Sequence, residues 1–116
     1  MADPMREPTF LILTALADEA RHGYGLITEV SRLSEGRVAL KPGTLYGALD
    51  RLADEGLVAR DREEVVDGRL RRYYRITPDG ERALRAETDR MRRHVAAATA
   101  KLGPIGGATQ AGVSFA

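Results

Sequence analysis

The 116-residue chain has no cysteine and no tryptophan, and only two phenylalanines and four tyrosines. Without cysteine there can be no disulfide, no thiolate metal site and no cysteine nucleophile. This composition suits a reducing compartment. No apolar run approaches the ~20 residues of a membrane span. The stretch from Met1 to Pro8 lacks the apolar core of a secretion signal. A cytoplasmic chain with no membrane partner is therefore expected. His22 and His94 are the only histidines. They stand in unrelated elements with no clear carboxylate partner, so neither a metal nor a cofactor is expected. No nucleophile stands with a base and an orienting group. Gly23-Tyr24-Gly25 has no following Lys-Ser/Thr and no buried strand before it, so it is no phosphate loop. These absences argue against an enzyme.

An excess of one charge is also missing, since the net charge is only +1. A strongly basic nucleic-acid-binding domain would show more. The distribution is uneven, however. Residues 1–36 are acidic on balance, whereas Arg69, Arg71, Arg72 and Arg75 are interrupted by no acid. A local basic stripe can bind phosphates on a nearly neutral molecule.

Apolar periodicity organises what is there. Pro8 suits the first turn of a helix reaching Ala17, with Phe10, Leu13, Leu16 and Ala17 on one face and Ile12 beside it. His22-Gly23-Tyr24-Gly25 reads as a tight turn, with His22 fixing it, because paired glycines allow unusual backbone angles. A second helix, Tyr24 to Ser34, carries Leu26, Ile27, Val30 and Leu33, and Gly36 punctuates it. A third runs from Pro42 to Glu55 with Leu45, Leu49 and Leu52 on a buried face and Gly56 behind it. The period then shortens. Leu57 to Val66 and Arg69 to Ile76 read as strands around Asp67-Gly68, a strong hairpin signal. In the second strand, Tyr74 and Ile76 share the inner face. Thr77-Pro78-Asp79 restarts a helix that continues to Leu102, where Gly103-Pro104 stops it.

The expected class is mainly α with a small β-hairpin: a winged helix-turn-helix over 1–76, a C-terminal dimerisation helix over 77–102 and a flexible tail over 103–116. In such a fold the third helix meets the DNA major groove and the wing touches the flanking backbone. With its leucines buried, that helix leaves Lys41, Thr44, Ala48 and Arg51 near the outside, with Tyr46 and Gly47 beside them. Thr can bond to bases and Arg can fork onto guanine. Gly43 and Gly47 permit close approach to a phosphate. Taken singly, these residues better suit an ordinary solvated helix face, and only their combination with an arginine wing favours DNA. Asp50, Asp54 and Glu55 favour that plainer reading.

Four segments in order, namely His22-Gly23-Tyr24-Gly25, Pro42-Gly43-Thr44-Leu45-Tyr46, Glu55-Gly56-Leu57 and Arg72-Tyr73-Tyr74-Arg75-Ile76-Thr77 with Gly80, resemble the PadR family of transcriptional regulators. The resemblance covers Pro8 to Leu84. It implies a homodimeric repressor, often of detoxification or efflux genes, on an inverted repeat with half-sites resembling ATGT and ACAT. It leaves room for a small-molecule effector that the sequence does not identify. It places Tyr24, Gly43, Thr44 and Tyr46 at double-stranded DNA, with Arg69, Arg71 and Arg72 as wing bases. Tyr24 and Tyr46 equally suit packing. Lys41 departs from the family's small hydroxyl residue, exchanging a side-chain cap for a cation. The single appended helix matches the short subgroup.

That last helix carries Leu84, Thr88, Met91, Val95, Ala98 and Leu102 at spacings of four and three, a seam for a partner helix. Packing on its own domain is the alternative, but the helix is long for so small a domain, which favours a second copy of the chain. A different function class stays open. A winged helix rich in Asp50, Asp54, Glu55, Asp61, Glu63 and Glu64 can serve as a protein-docking module.

Overall fold

The computed structural model describes residues 4–104. Of the tail expected over 103–116, residues 105–116 lie outside the described residues. Two compact units divide the chain, the first through Arg85 and the second from Ala86.

The first unit begins with α1 (Glu7–Ala17), whose Pro8 stands in the first turn. Ile12, Leu13, Ala15 and Leu16 are buried along it. Ala17, expected on the inner face, is exposed. At this end the chain turns away, and Arg21 donates from Nε to the Ala15 carbonyl at 2.7 Å. Its guanidinium also lies 3.4 Å from Asp18 and 3.9 Å from Glu29. One half-buried cation thus ties the end of α1 to the next helix.

The His22-Gly23-Tyr24-Gly25 segment is not a turn. Arg21–His22 forms a two-residue strand, β1, and α2 (Gly23–Leu33) starts immediately after it. Neither Gly23 nor Gly25 has a positive φ. Leu26 and Val30 bury the inner face of α2. α3 (Pro42–Asp54) follows, with Leu45, Leu49 and Leu52 buried. It ends in a Schellman motif: Gly56, at φ +78°, donates to the Ala53 carbonyl at 3.0 Å and Leu57 to Leu52 at 2.9 Å. This geometry satisfies the last carbonyls of α3 and aims the chain into the wing.

The wing pairs β2 (Val58–Val66) with β3 (Arg69–Ile76) in antiparallel register. Asp67 and Gly68, at φ 52° and 77°, supply the two left-handed residues that match the twist of a two-residue hairpin. Beyond the expected hairpin, β1 pairs with the far side of β3, giving a three-stranded sheet ordered β1-β3-β2. A bulge interrupts β2, because Arg60 faces Tyr74 while Glu63 faces Arg72. Two residues, Asp61 and Arg62, therefore stand opposite Tyr73 alone.

Tyr74 joins Val58 and the helical leucines in the core, and Leu84 packs against its edge. Tyr73, on the other face of β3, is buried as well. The Arg62 guanidinium sits 3.8 Å above its ring, His22 lies 5.3 Å away by ring centroids, and its hydroxyl donates to Glu64 at 2.7 Å. Alternation along β3 assigns one tyrosine to the core; the bulge and β1 bury both.

α4 (Pro78–Leu102) opens on Thr77. The Thr77 hydroxyl accepts the Gly80 N–H at 3.0 Å and donates to the Gly56 carbonyl at 2.6 Å. The cap therefore also fastens the new helix to the end of α3. In the second unit, α4 carries ion pairs one turn apart, Glu87 with Arg90 and Asp89 with Arg92.

Candidate nucleic-acid interface

Burying Leu45, Leu49 and Leu52 fixes which side of α3 faces outward. Lys41, Pro42, Gly43, Thr44, Tyr46 and Gly47 are all exposed. Lys41 occupies the N-cap position without a side-chain cap bond. The first N–H groups of α3 are therefore left to solvent or a ligand. A methyl group added at Gly43 or Gly47 would meet nothing within 4 Å, so this stretch of helix is bare.

Tyr24 and Tyr46 join α2 to this surface. Tyr24 is 76% exposed and Tyr46 43%. The Tyr46 ring reaches across to Gly23, the first residue of α2. The approach of Tyr46 to Gly23 sets the start of α3, which carries Lys41, Gly43 and Thr44, against the start of α2, which carries Tyr24.

Arg51 does not join them. It lies in the last turn of α3 and donates from Nη2 to Thr9 Oγ1 of α1 at 2.8 Å. With Pro4, Met5, Arg6, Thr9, Glu55 and Leu57 it lines a separate cleft. Its place on the same sequence stripe as Thr44 hides this tie.

The wing bases differ among themselves. Arg72 lies 3.4 Å from Glu63. Arg71 stands opposite Glu64 and Arg69 opposite Val66, beside the tip. Arg75 lies 3.8 Å from Asp61, so three of the four arginines in the stripe that looks uniformly basic along β3 are matched by acids on β2. Arg69 and Arg75 are exposed wing arginines with an apolar residue in register, and of these Arg75 has Asp61 beside it. His22 sits behind this strand, and its pKa is lowered by burial and then by the Arg71 charge, against the opposing pull of Glu64.

The α4 seam also divides. Leu84 packs on the core of the first unit. Thr88 and Met91 are half-buried, whereas Val95, Ala98 and Leu102 are exposed. Val95 is 62% exposed and Leu102 86%. Among the described residues, no group of three or more His, Asp or Glu could hold a metal ion, and no helix is long and apolar enough to cross a membrane.

Residues 12–86 match the family model described as the transcriptional regulator PadR-like family. A Mycobacterium tuberculosis protein named transcriptional regulator Rv3488 is 47% identical over 73 residues, 63% of this chain and 64% of that protein. A Lysinibacillus sphaericus protein is 33% identical over 60% of this chain and 64% of its own length. The match thus spans less than two thirds of these relatives. A solved PadR family transcription regulator from Clostridium difficile superposes with a TM-score of 0.66 at 26% identity, over 84% of this chain and 100% of that one. Bacillus subtilis PadR, solved in complex with operator DNA, superposes with a TM-score of 0.63 at 25% identity, over 72% of this chain and 47% of that one. The resemblance read from the four short segments and the winged-helix fold expected from the order of elements both hold. The family and Rv3488 are described as regulators of transcription, not enzymes. By the match over 12–86, the chain belongs to the PadR-like family of transcriptional regulators.

Proposed function

We propose that the chain represses transcription in the cytoplasm by binding an inverted-repeat operator as a homodimer. The observation that carries this reading is the bare first turn of α3. Lys41, Gly43, Thr44 and Tyr46 stand exposed there, while the leucines behind them are buried. A helix held by its inner face, with a cation, a hydroxyl and free N–H groups at its outer end, suits base edges and phosphates. Arg69 and Arg71 would meet the flanking phosphates, which orient a protein without reading sequence. The operator complex of Bacillus subtilis PadR supports the same use of this fold. Two copies related by a two-fold axis would require half-sites about one helical turn apart. Met91, Val95, Ala98 and Leu102 are the surface offered for that pairing.

A protein-docking module is the competing reading, favoured by the wing acids Glu63 and Glu64 opposite Arg72 and Arg71. Titrating the full chain onto the duplex upstream of its own gene, over a range of salt, separates the two. The repressor reading expects binding that weakens steeply with salt and a footprint with two-fold symmetry. No binding at low salt, or an asymmetric footprint, would overturn it.

A further inference from the structure

We propose that Gly23 is a positioning residue for the α3 surface, lacking a side chain so that the Tyr46 ring can lie against the first turn of α2. The inference rests on the DNA-binding reading and concerns how that surface is held in shape.

The usual reason for a glycine does not apply here. Gly23 is buried, begins a regular helix and has no positive φ. Space is what it supplies. A Cβ at residue 23 would lie 2.9 Å from Tyr46 Cζ and closer still to Oη. The three nearest atoms it would meet all belong to Tyr46. The nearest obstruction is therefore one side chain from a different helix. The neighbouring glycines differ. A Cβ at Gly25 would meet His22 at 3.3 Å, which needs only a small adjustment, and those at Gly43 and Gly47 would meet nothing.

Tyr46 is thus anchored and accessible at once. Its ring end rests on α2, yet 43% of the residue is exposed. A side chain already held in place loses less freedom on binding than one that must be gathered from several rotamers. The same packing spans the two helices of the helix-turn-helix, and so sets the spacing of their first turns. His22-Gly23-Tyr24-Gly25 then acts on DNA partly through Tyr46, a residue in another segment.

Gly23→Ala isolates this effect. The obstructing atoms are the far end of a flexible side chain. The ring therefore swings outward, and the backbone can stay in place. Fluorine NMR of the full chain grown with fluorotyrosine reports the ring, its resonance assigned by Tyr46→Phe. Affinity for the upstream duplex is measured for the parent, Gly23→Ala, Tyr46→Ala and the double variant. The expected result is a shifted Tyr46 resonance in Gly23→Ala and an affinity loss of about fivefold, the scale of freeing one side chain. In the Tyr46→Ala background, Gly23→Ala should change affinity no further.

An unmoved Tyr46 resonance overturns the proposal. So does an equal loss of affinity in the Tyr46→Ala background, which would mean that Gly23 itself approaches the DNA. If Gly23→Ala unfolds the chain, Tyr46→Ala must restore it, and failure to do so also overturns the proposal. If the parent binds no duplex, the DNA-binding reading fails, while the fluorine measurement still decides whether Gly23 seats Tyr46.

Discussion

Gly80 lies so close beneath Leu57 that a Cβ there would stand 3.0 Å from the Leu57 carbonyl carbon and nearer still to its oxygen. It would also press within 2.7 Å of Ile76 Cγ1. The obstruction is backbone, pinned on both sides. Leu57 donates to Leu52 and accepts the Thr77 N–H at 3.1 Å. The Leu57 backbone cannot swing aside as the end of a side chain can. Gly80→Ala should therefore destabilise the fold by about 1–3 kcal/mol, the usual cost of overpacking. The general gain from replacing a helical glycine acts in the opposite direction and is smaller, about 0.5–1 kcal/mol. Urea unfolding at matched protein concentration measures the difference. A midpoint equal to or above the parent's would show that the first turn of α4 can shift off Leu57.

His22 should make stability depend on pH. The groups facing it are the Tyr73 ring, Arg71 and Glu64. Burial and Arg71 disfavour its charged form, and Glu64 only partly opposes them. The folded chain therefore gives up this proton at a lower pH than the unfolded chain does. Between the two pKa values the unfolded state binds more protons, so stability rises with pH there. The contribution is complete above the ordinary histidine value and declines as pH falls through it. His22→Phe keeps a ring against Tyr73 but cannot titrate. Thermal melts from about pH 7.5 down to about pH 5.5, the range in which histidine changes charge, should show a smaller loss for the variant. Equal losses in both proteins would assign the acid sensitivity to the carboxylates.

Which parts of this molecule could be read in advance follows from the range of the forces involved. Leu45, Leu49 and Leu52 announce α3 because burial on one face of a helix repeats every three or four residues. Asp67-Gly68 announces the wing because few other pairs accept two left-handed residues. Thr77 announces α4 through its own cap bond. Each signal is local. β1 is missed because two residues are too few to show alternation. The β2 bulge is hidden because Asp61-Arg62 looks like any exposed polar stretch, and its effect appears only when Tyr73 stands opposite. Arg51 and Thr9 are 42 residues apart in sequence, and only the packing of α1 on α3 joins them. Gly23 was legible as a special position but for the wrong reason: it is a gap for Tyr46, not a bend. Within the candidate site, the exposure of the α3 first turn was legible from the spacing of its buried leucines. The inequality among the wing arginines was not, because it depends on the register of β2.

The second half of α4 should hold the dimer. Leu84 belongs to the core of its own chain, which leaves Met91, Val95, Ala98 and Leu102 for the proposed pairing. An acid placed in such a seam must be buried on association without a partner. Met91→Asp with Val95→Asp is therefore expected to give a folded monomer in sedimentation equilibrium at concentrations where the parent is dimeric. Both residues belong to the second unit, whereas the buried leucines belong to the first. Circular dichroism should accordingly show the helices of the parent. A variant that sediments as the parent does would move the interface elsewhere, α1 being the next surface to test.

Sequence choice and bulk affinity should separate between α3 and the wing. Thr44 is exposed on the first turn of α3, and its hydroxyl and methyl can both meet a base edge. Removing that interaction should cost about 1–3 kcal/mol on the preferred duplex, and much less on unrelated DNA. Thr44→Ala tests this without disturbing the fold, because the residue points away from Leu45 and its buried neighbours. Arg69 should behave in the opposite way. Standing beside Val66 rather than an acid, it is free to meet a phosphate, and abolishing one arginine–phosphate pair should flatten the salt dependence by about 0.9 in the logarithmic slope. Arg69→Ala should therefore weaken preferred and unrelated duplexes alike. Arg72 already faces Glu63 at 3.4 Å, so Arg72→Ala should alter the slope less. Binding isotherms for the three variants on both duplexes, at several salt concentrations, give all of these quantities together. If Thr44→Ala lowered preferred and unrelated binding equally while Arg69→Ala changed the preferred sequence, the roles would be exchanged. The wing would then be the reading element, and α3 would hold the backbone.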